Sequence, residues 1–174
     1  MMQEIRLSGS GGQGVITAGI ILAEAAIMEG KEAVQSQSYG PEARGGASKA
    51  EVIIADEFIY HPKVLTPNVV LALTQQAAVK YSADLVEGGL FIIDEDLVPN
   101  PPAVNGRIVK APITRIAVEK LGKDLFTNIV ALGILVKVTG VVSLETIQKT
   151  VAKRVPPATV GKNMEALKLG FDAV

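Results

Sequence analysis

The sequence predicts an α/β protein in which a mainly parallel sheet is flanked by helices. Short apolar segments alternate with longer helical segments, which is typical of strand-helix-strand connections in a parallel sheet. The residues are 48% hydrophobic but only 4% aromatic, so Val, Ile, Leu and Ala must build the core. Such residues suit a buried parallel sheet packed against small-residue helices. A chain of 174 residues is expected to form a single domain, residues 1–174.

The first predicted unit is a strand over residues 4–7, a glycine-rich turn and a helix over residues 15–29. Four glycines in the six residues 9–14 allow a sharp turn and leave amide N–H groups exposed where the helix begins. Exposed N–H groups at a helix N-terminus bind anions. The turn residues predicted to bind a cofactor or ligand are Gly9, Ser10, Gly11, Gly12, Gln13 and Gly14.

Gly9, Gly11 and Gly14 fit G-x-G-x-x-G in the strand-to-helix context of a dinucleotide-binding turn. That use also requires an acidic residue about 20 residues later, at the end of the second strand. The second predicted strand, residues 32–38, has its acid at the start, Glu32, which disfavours NAD. A Walker A loop is excluded because no Gly-Lys-Ser/Thr follows the glycines. A stand-alone nucleotide or dinucleotide-binding module and a turn needed only for close packing remain the alternatives.

The predicted helix over residues 15–29 is apolar on nearly every face, and Gly30 ends it. A helix of this kind is either central to the domain or covered by another subunit. The mean hydropathy of +0.34 also indicates that a partner buries some apolar surface.

A second glycine-rich loop, residues 38–47, follows the second strand. Gly-Pro ends the strand, and Gly-Gly gives closely approachable backbone beside one acid and one base. Arg44 can present its planar guanidinium to a carboxylate or a phosphate, whereas an ordinary exposed loop with a local Glu–Arg pair is the alternative. In a doubly wound sheet this loop lies on the same edge as the glycine turn. Its predicted ligand-binding residues are Tyr39, Gly40, Glu42, Arg44, Gly45 and Gly46.

The rest of the chain continues the alternation of strands and helices. The further predicted strands are residues 50–55, with a brief extension at 58–60, then 68–73, 90–94 and 107–110. The further predicted helices are residues 76–85, 113–120, 128–139, one capped by Ser143, and a last one after Pro156-Pro157 that reaches about residue 169.

Composition excludes several chemistries. Without cysteine, the chain cannot hold an iron–sulfur cluster, a Cys-based zinc site, a disulfide or a thiol nucleophile. The only histidine, His61, precedes a proline in a predicted turn, which disfavours a Ser-His-Asp triad. A net charge of −1 argues against nucleic acid as a partner. The longest apolar segment, 129–142, is too short to cross a bilayer, and no signal peptide is recognisable, so we expect a cytoplasmic protein without membrane association.

Three motifs, in their order and spacing, resemble the gamma subunit of the 2-oxoacid:ferredoxin oxidoreductases. They are GSGGQGV at residues 9–15, SYGPEARGG at 38–46 and NIVALG at 128–133, and the likeness extends to residues 163–170. The resemblance implies a Rossmann-like α/β domain adjoining the thiamine site and associated with coenzyme A access. It implies a complex that decarboxylates a 2-oxoacid oxidatively, forms an acyl-coenzyme A and reduces ferredoxin.

The resemblance also implies a division of labour among subunits. Thiamine diphosphate and Mg lie with the alpha and beta subunits, and iron–sulfur clusters lie in beta and in a delta or fused ferredoxin-like part. This chain is therefore expected to hold no cofactor alone, to supply no catalytic acid or base, and to contact alpha, beta and, in some assemblies, delta. Ferredoxin is reached through the complex.

Arg44 is the best candidate to contact a coenzyme A phosphate or a partner carboxylate if the resemblance holds. The form of residues 38–46 is more similar to the 2-oxoglutarate members of the family, so 2-oxoglutarate is the expected substrate. The alternative substrates are pyruvate, branched-chain oxoacids and indolepyruvate. The alternative role for this chain is that of a purely structural subunit.

Overall fold

The computed structural model describes residues 1–38 and 46–174. Its six strands form one sheet in the order β2-β3-β1-β4-β5-β6. The strands are β1 Met2–Ser10, β2 Glu32–Gln37, β3 Ala47–Ala55, β4 Val69–Ala72, β5 Leu90–Asp94 and β6 Arg107–Ala111. The helices are α1 Val15–Met28, α2 Gln75–Tyr81, α3 Ile113–Leu121, α4 Thr127–Thr139, α5 Leu144–Arg154 and α6 Val160–Asp172, with short 3-10 turns at Asp124–Phe126 and Pro157–Thr159.

The predicted mainly parallel sheet is confirmed, with one exception. Strands β1, β4, β5 and β6 run parallel, whereas β3 runs antiparallel to both β1 and β2. Because β3 reverses direction twice relative to its neighbours, β2 points the same way as β1. The carboxyl ends of β1 and β2 therefore share one edge of the sheet.

The helices cover the two faces of the sheet unequally. The larger apolar core joins α1, α3, α4, α5 and α6 to one face, while a smaller core packs α2 against the other. Strand β4 shows the alternation that produces this arrangement, since Val69 and Leu71 belong to the larger core and Val70 and Ala72 to the smaller one.

Helix α1 is central to the domain, as its composition allows. Its side chains Ile21, Leu22, Ala25 and Ala26 are completely buried. The helix ends where predicted: the Gly30 N–H donates to the Ile27 carbonyl at 3.0 Å and the Lys31 N–H donates to the Ala26 carbonyl at 3.1 Å. This pair of bonds with a left-handed glycine is a Schellman motif, which satisfies carbonyls that the helix end leaves open.

Two of the sequence-based element predictions were wrong. Residues 58–60 form no strand, and the side chains of Phe58 and Tyr60 are exposed, because the chain leaves β3 there and crosses to the far side of β1 to begin β4. The helix predicted over 76–85 ends at Tyr81, with Ser82 as its C-cap. Asp84 lies beyond that end and binds the Arg6 guanidinium, a tertiary contact without a local signal. Among the described residues, every helix is too short or too polar to span a bilayer.

Candidate functional site

The glycine turn links the carboxyl end of β1 to the start of α1. Gly12 and Gly14 have left-handed φ angles of +90° and +77°. The Gln13 side chain closes the turn, because its Oε1 accepts the Ser10 N–H at 2.7 Å while the Gln13 N–H donates to the Ser10 carbonyl at 3.3 Å. The turn is thus a fixed structure built from its own hydrogen bonds.

Gly14 is required by two independent constraints. Its φ is costly for any residue with a Cβ, and an added Cβ would lie 2.5 Å from Asn128 Nδ2. Asn128 Nδ2 donates to the Gly14 carbonyl at 3.2 Å, so the start of α4 is fastened to the start of α1. Two of the three motifs that the sequence singled out are therefore joined here by a direct contact.

The start of α1 is suited to bind an anion. Gly14 is its N-cap and supplies no side-chain hydrogen bond, and the first turn contains no acidic residue. The N–H groups and the positive end of the helix dipole are therefore left for a ligand.

Two clefts flank this helix start. The larger, of about 280 Å³, also borders the starts of α4 and α6, neither of which has a side-chain cap or an acidic residue in its first turn. The smaller, of about 220 Å³, also borders Ser48 of β3. The larger cleft is lined by Gly12, Gln13, Gly14, Thr17, Leu125, Phe126, Asn128, Ile129, Val155, Pro156, Thr159 and Asn163. The smaller cleft is lined by Ser10, Gly12, Gly14, Val15, Ile16, Thr17 and Ser48.

The described lining residues of both clefts are uncharged, so the helix starts are their main electrostatic feature. An arrangement of helix starts and apolar walls can bind an anionic group and exclude water around it. It offers no acid or base among those lining residues for proton transfer.

The second glycine-rich loop can be placed only by its ends. The predicted ligand-binding residues Tyr39, Gly40, Glu42, Arg44 and Gly45 lie outside the described residues. Gly46 is described, and its carbonyl accepts the Gly11 N–H at 3.2 Å. At the other end, the Ser38 N–H donates to the Lys49 carbonyl at 3.3 Å. The ends of the loop thus lie at the sheet edge that carries the glycine turn.

A buried ionic cluster behind this edge was missed by the sequence analysis. The Arg6 side chain is only 6% exposed, and its Nε donates to Glu51 Oε2 at 2.8 Å. Its Nη1 donates to Asp84 Oδ1 at 2.6 Å and to the Tyr81 carbonyl at 2.9 Å. Lys49 Nζ completes the cluster by donating to Glu51 Oε1 at 3.2 Å. The available signal was a charged residue between two apolar ones in each strand, Arg6 between Ile5 and Leu7 and Glu51 between Ala50 and Val52.

The cluster changes the pKa of two of its members. Burial acts to lower the pKa of Arg6, but the hydrogen bonds from Asp84 and Glu51 outweigh it and raise that pKa above its ordinary value. Burial acts to raise the pKa of Asp84, but the hydrogen bond and charge of Arg6 outweigh it and lower that pKa. Both groups are therefore charged at neutral pH.

Two other polar groups have structural roles. Asp94, completely buried at the carboxyl end of β5, accepts the N–H groups of Asp96, Leu97 and Thr114 and so fixes the start of α3. His61 Nδ1 lies 3.1 Å from the Lys63 carbonyl in an exposed turn, as its sequence context predicts. The described residues contain no group of three or more His, Cys, Asp or Glu side chains arranged to hold a metal ion.

The amino-acid sequence is similar to those of oxidoreductase subunits from other organisms. The sequence is 50% identical to the 2-oxoglutarate synthase subunit KorC of Methanocaldococcus jannaschii, over 99% of this chain and 94% of that protein. It is 34% identical to the pyruvate/ketoisovalerate oxidoreductases common subunit gamma of Thermococcus kodakarensis, over 98% of this chain and 96% of that protein.

A solved structure shows the same fold over nearly the whole chain. The keto/oxoacid ferredoxin oxidoreductase gamma subunit of Geobacter sulfurreducens superposes with a TM-score of 0.90 at 52% identity, covering 98% of this chain and 97% of that one. The model of the pyruvate ferredoxin/flavodoxin oxidoreductase family matches residues 4–173 of this chain. The chain therefore belongs to the pyruvate ferredoxin/flavodoxin oxidoreductase family.

Proposed function

We propose that this chain is the gamma subunit of a hetero-oligomeric 2-oxoacid:ferredoxin oxidoreductase that acts on 2-oxoglutarate. The observation that carries the substrate is the difference in identity: 50% to a 2-oxoglutarate synthase subunit against 34% to a pyruvate/ketoisovalerate gamma subunit. The sequence of residues 38–46, which is more similar to the 2-oxoglutarate members of the family, supports the same substrate. In this proposal residues 1–174 act as one domain, which is supported by the single sheet that unites all described strands. The proposed location of the complex is the cytoplasm.

The reaction proposed for the complex is the oxidative decarboxylation of 2-oxoglutarate to succinyl-coenzyme A. 2-Oxoglutarate loses its C1 carboxylate as CO2, coenzyme A forms a thioester with the remaining succinyl group, two oxidised ferredoxins each gain one electron, and one proton is released. When bound, thiamine diphosphate with Mg supplies the carbanion chemistry, and iron–sulfur clusters supply the electron transfer. In this proposal the alpha, beta and delta-type partners hold these groups.

The part proposed for this chain is to bind an anionic group of coenzyme A. The start of α1 leaves its N–H groups without a side-chain cap, and the adjoining cleft of about 280 Å³ has space for a phosphate beside apolar walls. Arg44 is the proposed cation in the neighbouring loop, since a guanidinium can bind a phosphate through two hydrogen bonds. The described site residues hold and orient the ligand, and the bond-breaking steps belong to the partner subunits.

Reconstitution tests the subunit and substrate assignments together. The alpha and beta partners are assayed for viologen or ferredoxin reduction with coenzyme A, with and without this chain, against 2-oxoglutarate, pyruvate, 2-oxoisovalerate and indolepyruvate. We expect this chain to restore turnover, with the highest kcat/KM for 2-oxoglutarate. A chain that neither binds the partners nor changes the rate contradicts the proposal, and tight NAD or FAD binding by the isolated chain would support the nucleotide-binding alternative.

The role of Arg44 is tested by Arg44→Ala in the assembled complex. Loss of a charge-assisted hydrogen bond costs about 1.5–3 kcal/mol, which corresponds to a rise of about 10- to 150-fold in the KM for coenzyme A. Arg107→Ala is the matched control, because Arg107 is exposed at the start of β6, on the opposite edge of the sheet. An unchanged KM in Arg44→Ala would reject this role and favour a purely structural subunit.

A further inference from the structure

Tyr81 makes a hydrogen bond that links α2 to the first residue of β3. Tyr81 is 7% exposed and lies on the sheet face that α2 covers. Its hydroxyl donates to the Ala47 carbonyl at 3.2 Å. Ala47 directly follows Gly46, whose carbonyl accepts the Gly11 N–H of the glycine turn at 3.2 Å.

The Ala47 carbonyl points away from β1. The Gly11–Gly46 bond makes the neighbouring pair, Ser10 and Ala47, one whose backbone groups point away from each other. On the β2 side, the described pairing extends to the Ser38 N–H, which donates to the Lys49 carbonyl. The Tyr81 hydroxyl donates to the Ala47 carbonyl, so the start of β3 is held by Gly11 on one side and by Tyr81 on the other.

Tyr81 is itself held firmly by the buried ionic cluster. Arg6 Nη1 donates to its backbone carbonyl at 2.9 Å, and Arg6 is fixed in turn by Glu51 and Asp84. Lys49 Nζ lies 5.7 Å from the centre of the Tyr81 ring, within the range of a cation–π contact. A continuous set of contacts thus runs from the ionic cluster through Tyr81 to the glycine turn.

We propose that Tyr81 is a positioning residue for the glycine turn: through Ala47 and Gly46 its hydroxyl fixes Gly11 and the turn that begins α1. The consequence for ligand binding rests on the proposed function, in which this turn binds coenzyme A. In this role Tyr81 acts on the turn through the first residues of β3.

The test replaces Tyr81 by Phe, which removes the hydroxyl and keeps the buried ring. Tyr60→Phe is the matched control, because Tyr60 is 88% exposed. Amide hydrogen exchange of the full chain is followed by NMR at Gly11 and, as an internal reference, at Leu73, whose N–H donates to the Ser8 carbonyl on the other side of β1. The loss of one hydrogen bond is worth about 1 kcal/mol, so exchange at Gly11 should accelerate about fivefold in Tyr81→Phe only, with Leu73 unchanged.

The same variants are then compared in the assembled complex. We expect Tyr81→Phe to raise the KM for coenzyme A about three- to tenfold with kcat within about twofold, a separation that general destabilisation would not produce. Unchanged exchange at Gly11, or equal acceleration at Gly11 and Leu73, overturns the positioning role of Tyr81. Faster exchange at Gly11 with an unchanged KM supports that role and instead rejects the glycine turn as the coenzyme A site.

Discussion

Replacing Gly14 by Ala separates the two reasons why a glycine occupies the start of α1. Gly14 and Gly30 have nearly the same left-handed φ, +77° and +80°. An added Cβ meets nothing within 4 Å at Gly30, but at Gly14 it lies 2.5 Å from Asn128 Nδ2 and 2.9 Å from Asn128 Cγ. Gly30→Ala therefore reports the backbone cost alone, and Gly14→Ala reports that cost together with the displacement of Asn128.

The two costs can be estimated separately. A left-handed conformation costs an Ala about 1–2 kcal/mol, and the reduced freedom of the unfolded chain returns about 0.4–1 kcal/mol, which leaves about 1 kcal/mol for Gly30→Ala. In Gly14→Ala the Asn128 side chain must also move and lose its hydrogen bond to the residue 14 carbonyl, at a cost of about 1–3 kcal/mol. We expect a total of about 3 kcal/mol for Gly14→Ala.

Urea denaturation of the full chain measures the free energy of unfolding of both variants, and thermal denaturation measures their Tm. At about 2–4 °C per kcal/mol for a chain of this size, Tm should fall by about 3 °C in Gly30→Ala and by about 9 °C in Gly14→Ala. A double-mutant cycle with Asn128→Ala isolates the contact, and the double variant should be about 2 kcal/mol more stable than the sum of the single changes predicts. Equal losses in Gly14→Ala and Gly30→Ala, or a strictly additive cycle, would refute the proposed contact between the starts of α1 and α4.

Two further predictions concern the packing of α6 and the ionic cluster. In Gly170→Ala the new Cβ would lie 2.0 Å from the Val130 carbonyl oxygen, a backbone atom of α4 that cannot turn aside, so the free energy of unfolding should fall by about 3 kcal/mol. Gly161→Ala in the same helix meets nothing within 4 Å and should raise that free energy by about 0.5 kcal/mol. The lowered pKa of Asp84 means that its contribution to stability is complete above the ordinary value of 3.8 and is lost as the pH falls through the folded value. Between about pH 5 and about pH 3, the wild type should therefore lose more stability than Asp84→Asn, measured by urea denaturation at each pH.

The outcomes that would contradict these two predictions are distinct. Equal stability of Gly170→Ala and Gly161→Ala would mean that α4 and α6 do not approach as closely as the structure shows. Identical pH dependence in wild type and Asp84→Asn would mean that Arg6 does not hold the Asp84 carboxylate in the folded state.

The sequence alone determined the elements whose signals are local. The glycine turn, the start and end of α1, strand β5 and the Ser143 cap of α5 were all predictable, because turn glycines, apolar runs and capping side chains act within a few residues. The family also followed from sequence, since three motifs in order carry far more information than one glycine fingerprint. Ligand binding by all twelve predicted residues of the two glycine-rich loops stays a prediction. Five of them, Tyr39, Gly40, Glu42, Arg44 and Gly45, lie outside the described part of the chain.

Only the tertiary structure decided the contacts between segments distant in the chain. The antiparallel direction of β3 depends on which strands pair, and an apolar strand has the same pattern in either direction. Asn128 meets Gly14 across 114 residues, Arg6 meets Asp84 across 78, and Tyr81 meets Ala47 across 34. None of these pairs has a spacing that local geometry could fix, because each depends on how β1, β3, α2 and α4 pack around the shared edge of the sheet.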